Sequence, residues 1–114
     1  TNKEIYCNFY NNDTLVYKGR YDTLNKKTGK WLYYWQNGSV KKSGNYILNE
    51  KNKEWKYYFK NGLIQQKGNY VKNKPNGTWE WWYRSGQKRR VEDYENGNDY
   101  EGDEVEEDDY GDYN

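Results

Sequence analysis

The sequence predicts an all-β fold, an elongated single-layer antiparallel sheet of tandem β-hairpins followed by an acidic C-terminal tail. Three observations lead there. Tryptophans recur at Trp31, Trp55 and Trp79 with the same neighbours around them, and each is followed seven residues later by a glycine, in Gly38, Gly62 and Gly86. Aromatics are abundant, with 15 Tyr and 6 Trp, while alanine and methionine are absent, which disfavours long helices and favours strands. Charge divides the chain: residues 1–94 hold all 19 Lys and Arg against eight acids, and residues 95–114 hold ten acids and no base.

The repeat is clearest in the middle of the chain. It reads Trp31-Leu32-Tyr33-Tyr34-Trp35-Gln36-Asn37-Gly38, then Trp55-Lys56-Tyr57-Tyr58-Phe59-Lys60-Asn61-Gly62, then Trp79-Glu80-Trp81-Trp82-Tyr83-Arg84-Ser85-Gly86. Each stretch runs into a second one that ends in Gly44-Asn45-Tyr46, Gly68-Asn69-Tyr70 or Glu92-Asp93-Tyr94. A fourth, weaker copy begins the chain, with Tyr6 in the place of the tryptophan, Asn12-Asp13 as the turn and Gly19-Arg20-Tyr21 as the ending.

Asn-Gly between alternating aromatic stretches signals a two-residue type I′ hairpin turn, because both central residues must take positive φ. That turn would place Trp31 opposite Gly44, Tyr33 opposite Lys42, Trp35 opposite Val40, Trp55 opposite Gly68 and Phe59 opposite Ile64. The same rule sets Tyr6 opposite Gly19, Tyr10 opposite Leu15, Trp79 opposite Glu92 and Tyr83 opposite Lys88. Each recurring glycine then acquires a reason, since a large ring can lie across it and cover backbone that has no side chain of its own.

Period-two alternation sorts the side chains into two faces. One collects Trp31, Tyr33, Trp35, Trp55, Tyr57, Phe59, Trp79, Trp81 and Tyr83, an apolar strip of the kind that soluble monomers seldom leave bare. The second is polar, with one aromatic at the centre of each hairpin, Phe9, Tyr34, Tyr58 and Trp82, and cations such as Lys41 and Arg89 beside them. Both sets are candidate partner-binding residues, because Trp, Tyr and Arg dominate protein interfaces.

Chemistry is sparse by contrast. The chain has no histidine, hence no imidazole base, no Ser-His or Cys-His pair and no histidine-containing zinc site. The carboxylates of residues 1–94 are scattered, and Glu92 and Asp93 alternate across the sheet. No catalytic residue, metal or cofactor is expected. Cys7 is alone and reads as a small side chain on an edge strand. No apolar run reaches the ~20 residues a membrane-spanning helix needs, so membrane insertion is not expected.

The Trp-x-Tyr-Tyr-aromatic-x-Asn-Gly unit with its Gly-Asn-Tyr ending resembles the MORN-repeat variant of bacterial proteins over about residues 5–94, as four hairpins with a boundary near Tyr94. The resemblance implies antiparallel hairpins used as an interaction surface and a non-enzymatic role. One branch, the YwqK-type proteins, implies an antitoxin or immunity partner that covers another protein. Related arrays imply a structural component of a cell envelope or surface assembly. From the residues themselves comes a third reading, nucleic-acid binding by Lys41, Lys42, Arg89 and Arg90 with stacking on Tyr34, Tyr58 and Trp82. Its acidic tail would be an internal competitor, since segments of opposite charge joined in one chain meet at high effective concentration. The compartment follows the role: cytoplasmic for an antitoxin, envelope or secreted if a leader once preceded Thr1.

Overall fold

A computed structural model describes residues 5–95 and Gly97. Among these residues the chain forms one antiparallel sheet with no helix, its eight strands lying side by side in chain order. They are β1 (Ile5–Asn11), β2 (Thr14–Tyr21), β3 (Lys27–Tyr34), β4 (Val40–Ile47), β5 (Glu50–Tyr58), β6 (Ile64–Val71), β7 (Lys74–Trp82) and β8 (Lys88–Tyr94). The expected elongated single layer of hairpins is thus what forms. The acidic tail lies outside the described residues, apart from Glu95 and Gly97.

The expected turns change places. Asn37-Gly38 is not a two-residue loop: Gly38 N–H donates to Trp35 O at 2.9 Å and Trp35 N–H to Ser39 O at 2.8 Å. Of the three residues between Trp35 and Ser39, only Gly38 has positive φ, at 94°. This is a type I turn closed by a glycine bulge. The asparagine side chain explains it. Asn37 Oδ1 accepts from Ser39 N–H at 2.9 Å while Nδ2 donates to Lys60 O at 3.1 Å, in the next loop. Asn61 repeats this toward Leu63 N–H and Arg84 O.

Type I′ loops do occur, but mostly between the repeats. Leu48 and Asn49 have φ of 50° and 72°, Lys72 and Asn73 of 49° and 71°, and in the first hairpin Asn12 and Asp13 of 52° and 65°. Asparagine and aspartate tolerate that region because their short polar side chains bond locally. Here Asn49 Oδ1 accepts from Lys27 N–H at 2.7 Å and Asn49 N–H donates to Lys27 O at 3.1 Å, pinning each turn to the preceding repeat; Asn73 holds Lys51 in the same way.

The registers deep in each hairpin are as expected: Trp31 with Gly44, Tyr33 with Lys42, Trp55 with Gly68 and Trp79 with Glu92. Nearer the turns they differ. Val40 pairs with Tyr34 rather than Trp35, Ile64 with Tyr58 rather than Phe59, and Lys88 with Trp82 rather than Tyr83. The longer loop shifts pairing by one residue, and a bulge between Tyr33 and Tyr34, repeated in the later hairpins, shifts it back. In the first hairpin Tyr10 meets Leu15 as expected, but Gly19 pairs with Cys7 and Tyr6 with Arg20. Cys7 therefore holds the tryptophan's place, and Phe9 stacks on Tyr17 at 5.0 Å on the aromatic face instead of the second face.

Between repeats each tryptophan finds its seat. A Cβ added at Gly19, Gly44 or Gly68 would overlap indole carbons of Trp31, Trp55 or Trp79 respectively. The ring over Gly44 thus comes from the next hairpin and not, as within-hairpin pairing suggested, from Trp31. Trp55 and Trp79 Nε1 donate to Asn45 O and Asn69 O, each at 3.0 Å, on the strand they cover. Three residues of β5 bulge past Gly44 to bring the indole over it, and Lys53 adopts φ of 65° in that bulge where β3 and β7 use Gly29 and Gly77. Tyrosines stand edge-on around each indole: Tyr21 and Tyr46 at 5.2 and 5.8 Å from Trp31, and Tyr46 and Tyr70 at 5.0 and 6.3 Å from Trp55. Trp31, Trp55 and Trp79 are fully buried, so one layer of sheet builds its core from aromatic rings stacked along it.

Candidate functional site

Strand register aligns the candidate residues in rows across the aromatic face. One row runs Tyr33, Lys42, Tyr57, Gln66, Trp81 and Arg90. Beside it, toward the Gly38, Gly62 and Gly86 loops, come Trp35, Lys41, Phe59, Gln65, Tyr83 and Arg89. Lys41 and Arg89, expected on the second face, are turned by the bulges: Lys41 Nζ lies 4.8 Å from the Trp35 ring and Arg89 Cζ 6.0 Å from Tyr83. A bulge sets two residues opposite one, and the extra residue no longer obeys strict alternation.

The rows are cationic as well as aromatic. Lys42 Nζ sits 4.6 Å over Tyr33, Lys60 Nζ 5.6 Å over Trp35, and Arg90 Cζ 4.0 Å over Trp81. Such contacts hold a charge against a ring face while leaving part of it open to solvent. No acidic residue stands in either row. Among the described residues Glu92, opposite Trp79, stands on the aromatic face one row away from Arg90, while Glu80 and Glu54 serve the second face, where Lys88 meets Glu80 at 2.7 Å and Lys56 meets Glu54 at 3.9 Å. That also relieves the Lys56–Lys67 cross-strand pair, since Lys67 stands beside Glu80 and over the Trp82 ring at 5.9 Å.

Accessibility separates the candidates. Trp31, Trp55, Tyr57, Phe59, Trp79 and Trp81 are buried at 3 % exposure or less, so they shape the surface from beneath. Tyr33 and Trp35 are half-buried, and Tyr83 is exposed at 43 %. Lys41 and Arg90 are exposed, Lys42 and Arg89 half-buried. On the second face Tyr34, Tyr58 and Trp82 are half-buried. Trp82 has Lys67 on one side and Lys88 at 5.5 Å, and Tyr58 O accepts from Trp35 Nε1 at 3.1 Å.

Two glutamines were invisible as candidates. Gln65 and Gln66 are 2 % and 0 % exposed, and Gln65 Nε2 and both amide atoms of Gln66 have no hydrogen-bond partner among the described residues. Buried amides ordinarily find partners, and leaving one unmet costs roughly 1–3 kcal/mol. Sequence alone hides them because glutamine at a strand centre reads as a solvated residue.

Further along the same face, Lys27 Nζ lies 5.2 Å from Trp31 and 5.0 Å from Tyr46, and Lys51 stands the same way over Trp55 and Tyr70. Burial, aided by the charge of Lys42, holds the Lys27 ammonium below its ordinary pKa. Burial likewise raises the Tyr21 hydroxyl, with Tyr17 adding to it. Among the described residues no cluster of three or more His, Cys, Asp or Glu could hold a metal, and no helix is long and apolar enough to cross a membrane. The face sets cations beside exposed and half-buried rings.

In comparison with known families, the one described as MORN repeat variant matches residues 27–47, 51–72 and 75–98. The matched segments begin at β3, β5 and β7 and take in one hairpin each, Trp31 to Tyr46, Trp55 to Tyr70 and Trp79 to Tyr94. No curated protein and no solved structure matches significantly.

Proposed function

Because the chain belongs to the MORN repeat variant family, whose repeats commonly serve as binding modules and are typically non-catalytic, we propose that it is a protein-binding repeat module whose partner docks on the aromatic face. The observation that carries this reading is the pair of rows in which Lys41, Lys42, Arg89 and Arg90 stand on or beside Trp35, Tyr33, Tyr83 and Trp81, setting four cations against rings along one face. Arginine and large aromatics together concentrate interface energy, and the buried rings beneath keep them pre-positioned.

The partner is a protein with an acidic surface. In the narrower form it is a toxin and this chain its antitoxin, a step supported only by the resemblance to YwqK-type repeats. An envelope or surface-assembly role would draw on the same face. Nucleic-acid binding would need the second face's rings as stacking platforms, and Trp82 already has lysines against it. The test is affinity capture from the source cell, followed by reconstitution from purified components, comparing the native chain with a Lys41→Ser/Lys42→Ser/Arg89→Ser/Arg90→Ser variant. A protein that binds the native chain stoichiometrically after nuclease treatment, and binds the variant at least about 10-fold more weakly (~1.4 kcal/mol), supports the reading. Capture that nuclease abolishes, or that the variant retains unchanged, refutes it.

A further inference from the structure

The ten acids of residues 95–114 stand in the same chain as the cationic rows, and the path between them is short. β8 ends at Tyr94, which is buried on the aromatic face with its ring 6.4 Å from Trp81, edge-on. Beyond it Gly97 has φ of 77° and lies against Lys74 and Pro75. It falls 24 residues after Asn73 and 48 after Asn49, and so occupies the place of the inter-repeat turn residue. In those earlier turns the asparagine amide bonds the backbone N–H of Lys27 or Lys51, but residue 75 is proline and offers none. The repeat therefore delivers the chain to the border of the aromatic face and drops the bond that ties the next hairpin on.

From Gly97 the remaining 17 residues reach at most ~61 Å when extended, and the sheet's longest dimension is 46 Å. They carry Asp103, Glu104 and Glu106 to Asp109, with Tyr100, Val105, Tyr110 and Tyr113 interspersed. That alternation of carboxylates and rings complements a surface of cations seated on rings. The buried, unmet amides of Gln65 and Gln66 lie between Lys41 and Lys42 on one side and Arg89 and Arg90 on the other.

We infer that residues 98–114 bind in cis along the Lys42–Gln66–Arg90 row, so that the chain's own acidic segment occupies the surface an acidic partner would use. This deepens the binding reading, yet it is tested on the isolated chain, so its failure leaves the partner experiment standing. A nitroxide is attached at Glu106→Cys in an otherwise full-length Cys7→Ser chain, and the indole N–H signals of the six tryptophans are recorded by NMR. At low ionic strength Trp35 and Trp81 should lose intensity more than Trp82, and the loss should reverse near ~1 M salt, where screening falls to ~3 Å. A second labelled chain, with Asp103, Glu104, Glu107, Asp108 and Asp109 changed to their amides, should show no selective loss. Equal attenuation of all indoles, or loss that survives both salt and amidation, overturns the inference. So does attenuation of an isotope-labelled chain mixed with a spin-labelled one, because the occupant would then be a second copy.

Discussion

Replacing Gly44 by alanine should be among the most damaging single changes available to this sheet. The new methyl group would overlap the Trp55 indole, and that ring has nowhere to go: Tyr46 and Tyr70 flank it edge-on at 5.0 and 6.3 Å, and Nε1 is bonded to Asn45 O. If the indole swings out, its burial is lost, a change on the scale of Trp→Ala in a core, about 3–5 kcal/mol. If it stays, overpacking costs about 1–3 kcal/mol. The better strand propensity of alanine returns roughly 0.5–1 kcal/mol. A loss of about 3 kcal/mol is expected, against a total of about 5–15 for a domain. Chemical denaturation followed by circular dichroism, with trimethylamine oxide added to keep every variant folded, reads it directly. The decisive comparison is a double-mutant cycle. Gly44→Ala should cost almost nothing in a Trp55→Ala background, giving about 2–3 kcal/mol of coupling, and should stay additive with Trp31→Ala. Coupling to Trp31 instead of Trp55, or a single-mutant cost below about 1 kcal/mol, would refute the inter-repeat packing.

Other tests address the turns and the lysine lids. Lys53→Gly should stabilise the chain by about 0.5–1 kcal/mol, because a non-glycine residue at φ of 65° bears roughly 1–2 kcal/mol of strain and the matching residues are Gly29 and Gly77; a lower denaturation midpoint would contradict this. Asn73→Gly keeps the positive φ but loses the 2.8 Å bond to Lys51 N–H, so about 1 kcal/mol should go, whereas Asn73→Ala should lose about 2, as thermal unfolding of both would show. For Lys27, the folded pKa lies below the unfolded 10.5, so the unfolded chain binds more protons in the window just under 10.5 and stability from this group rises with pH there. Lys27→Met should flatten that rise between neutral pH and 10.5, and an unchanged slope would show that the cation–ring contacts cancel the burial effect.

Much of this was legible from residue types and spacing. The hairpin order, the aromatic face and the pairing of Trp31 with Gly44 follow from period-two alternation and a 24-residue recurrence. The errors are informative. Asn-Gly signals a turn but not its type, and the choice fell to an asparagine amide that reaches the neighbouring loop at Lys60 O. Lys41 and Arg89 changed face because a bulge breaks alternation and leaves no mark in composition. Gln65 and Gln66 could not be singled out because their interest lies in burial without partners.

What the sequence by itself determined is local: strands, their alternation, the recurring aromatic and glycine positions, and the separation of charge between the repeats and the acidic segment. Which tryptophan lies on which glycine was a tertiary decision. Gly44 follows Trp31 by 13 residues and precedes Trp55 by 11, and Gly68 stands the same way between Trp55 and Trp79, so spacing in these two repeats cannot tell the two pairings apart. The three-residue bulge beside Gly44 does, because it carries the next hairpin's indole over bare backbone, and only the packed sheet contains that bulge.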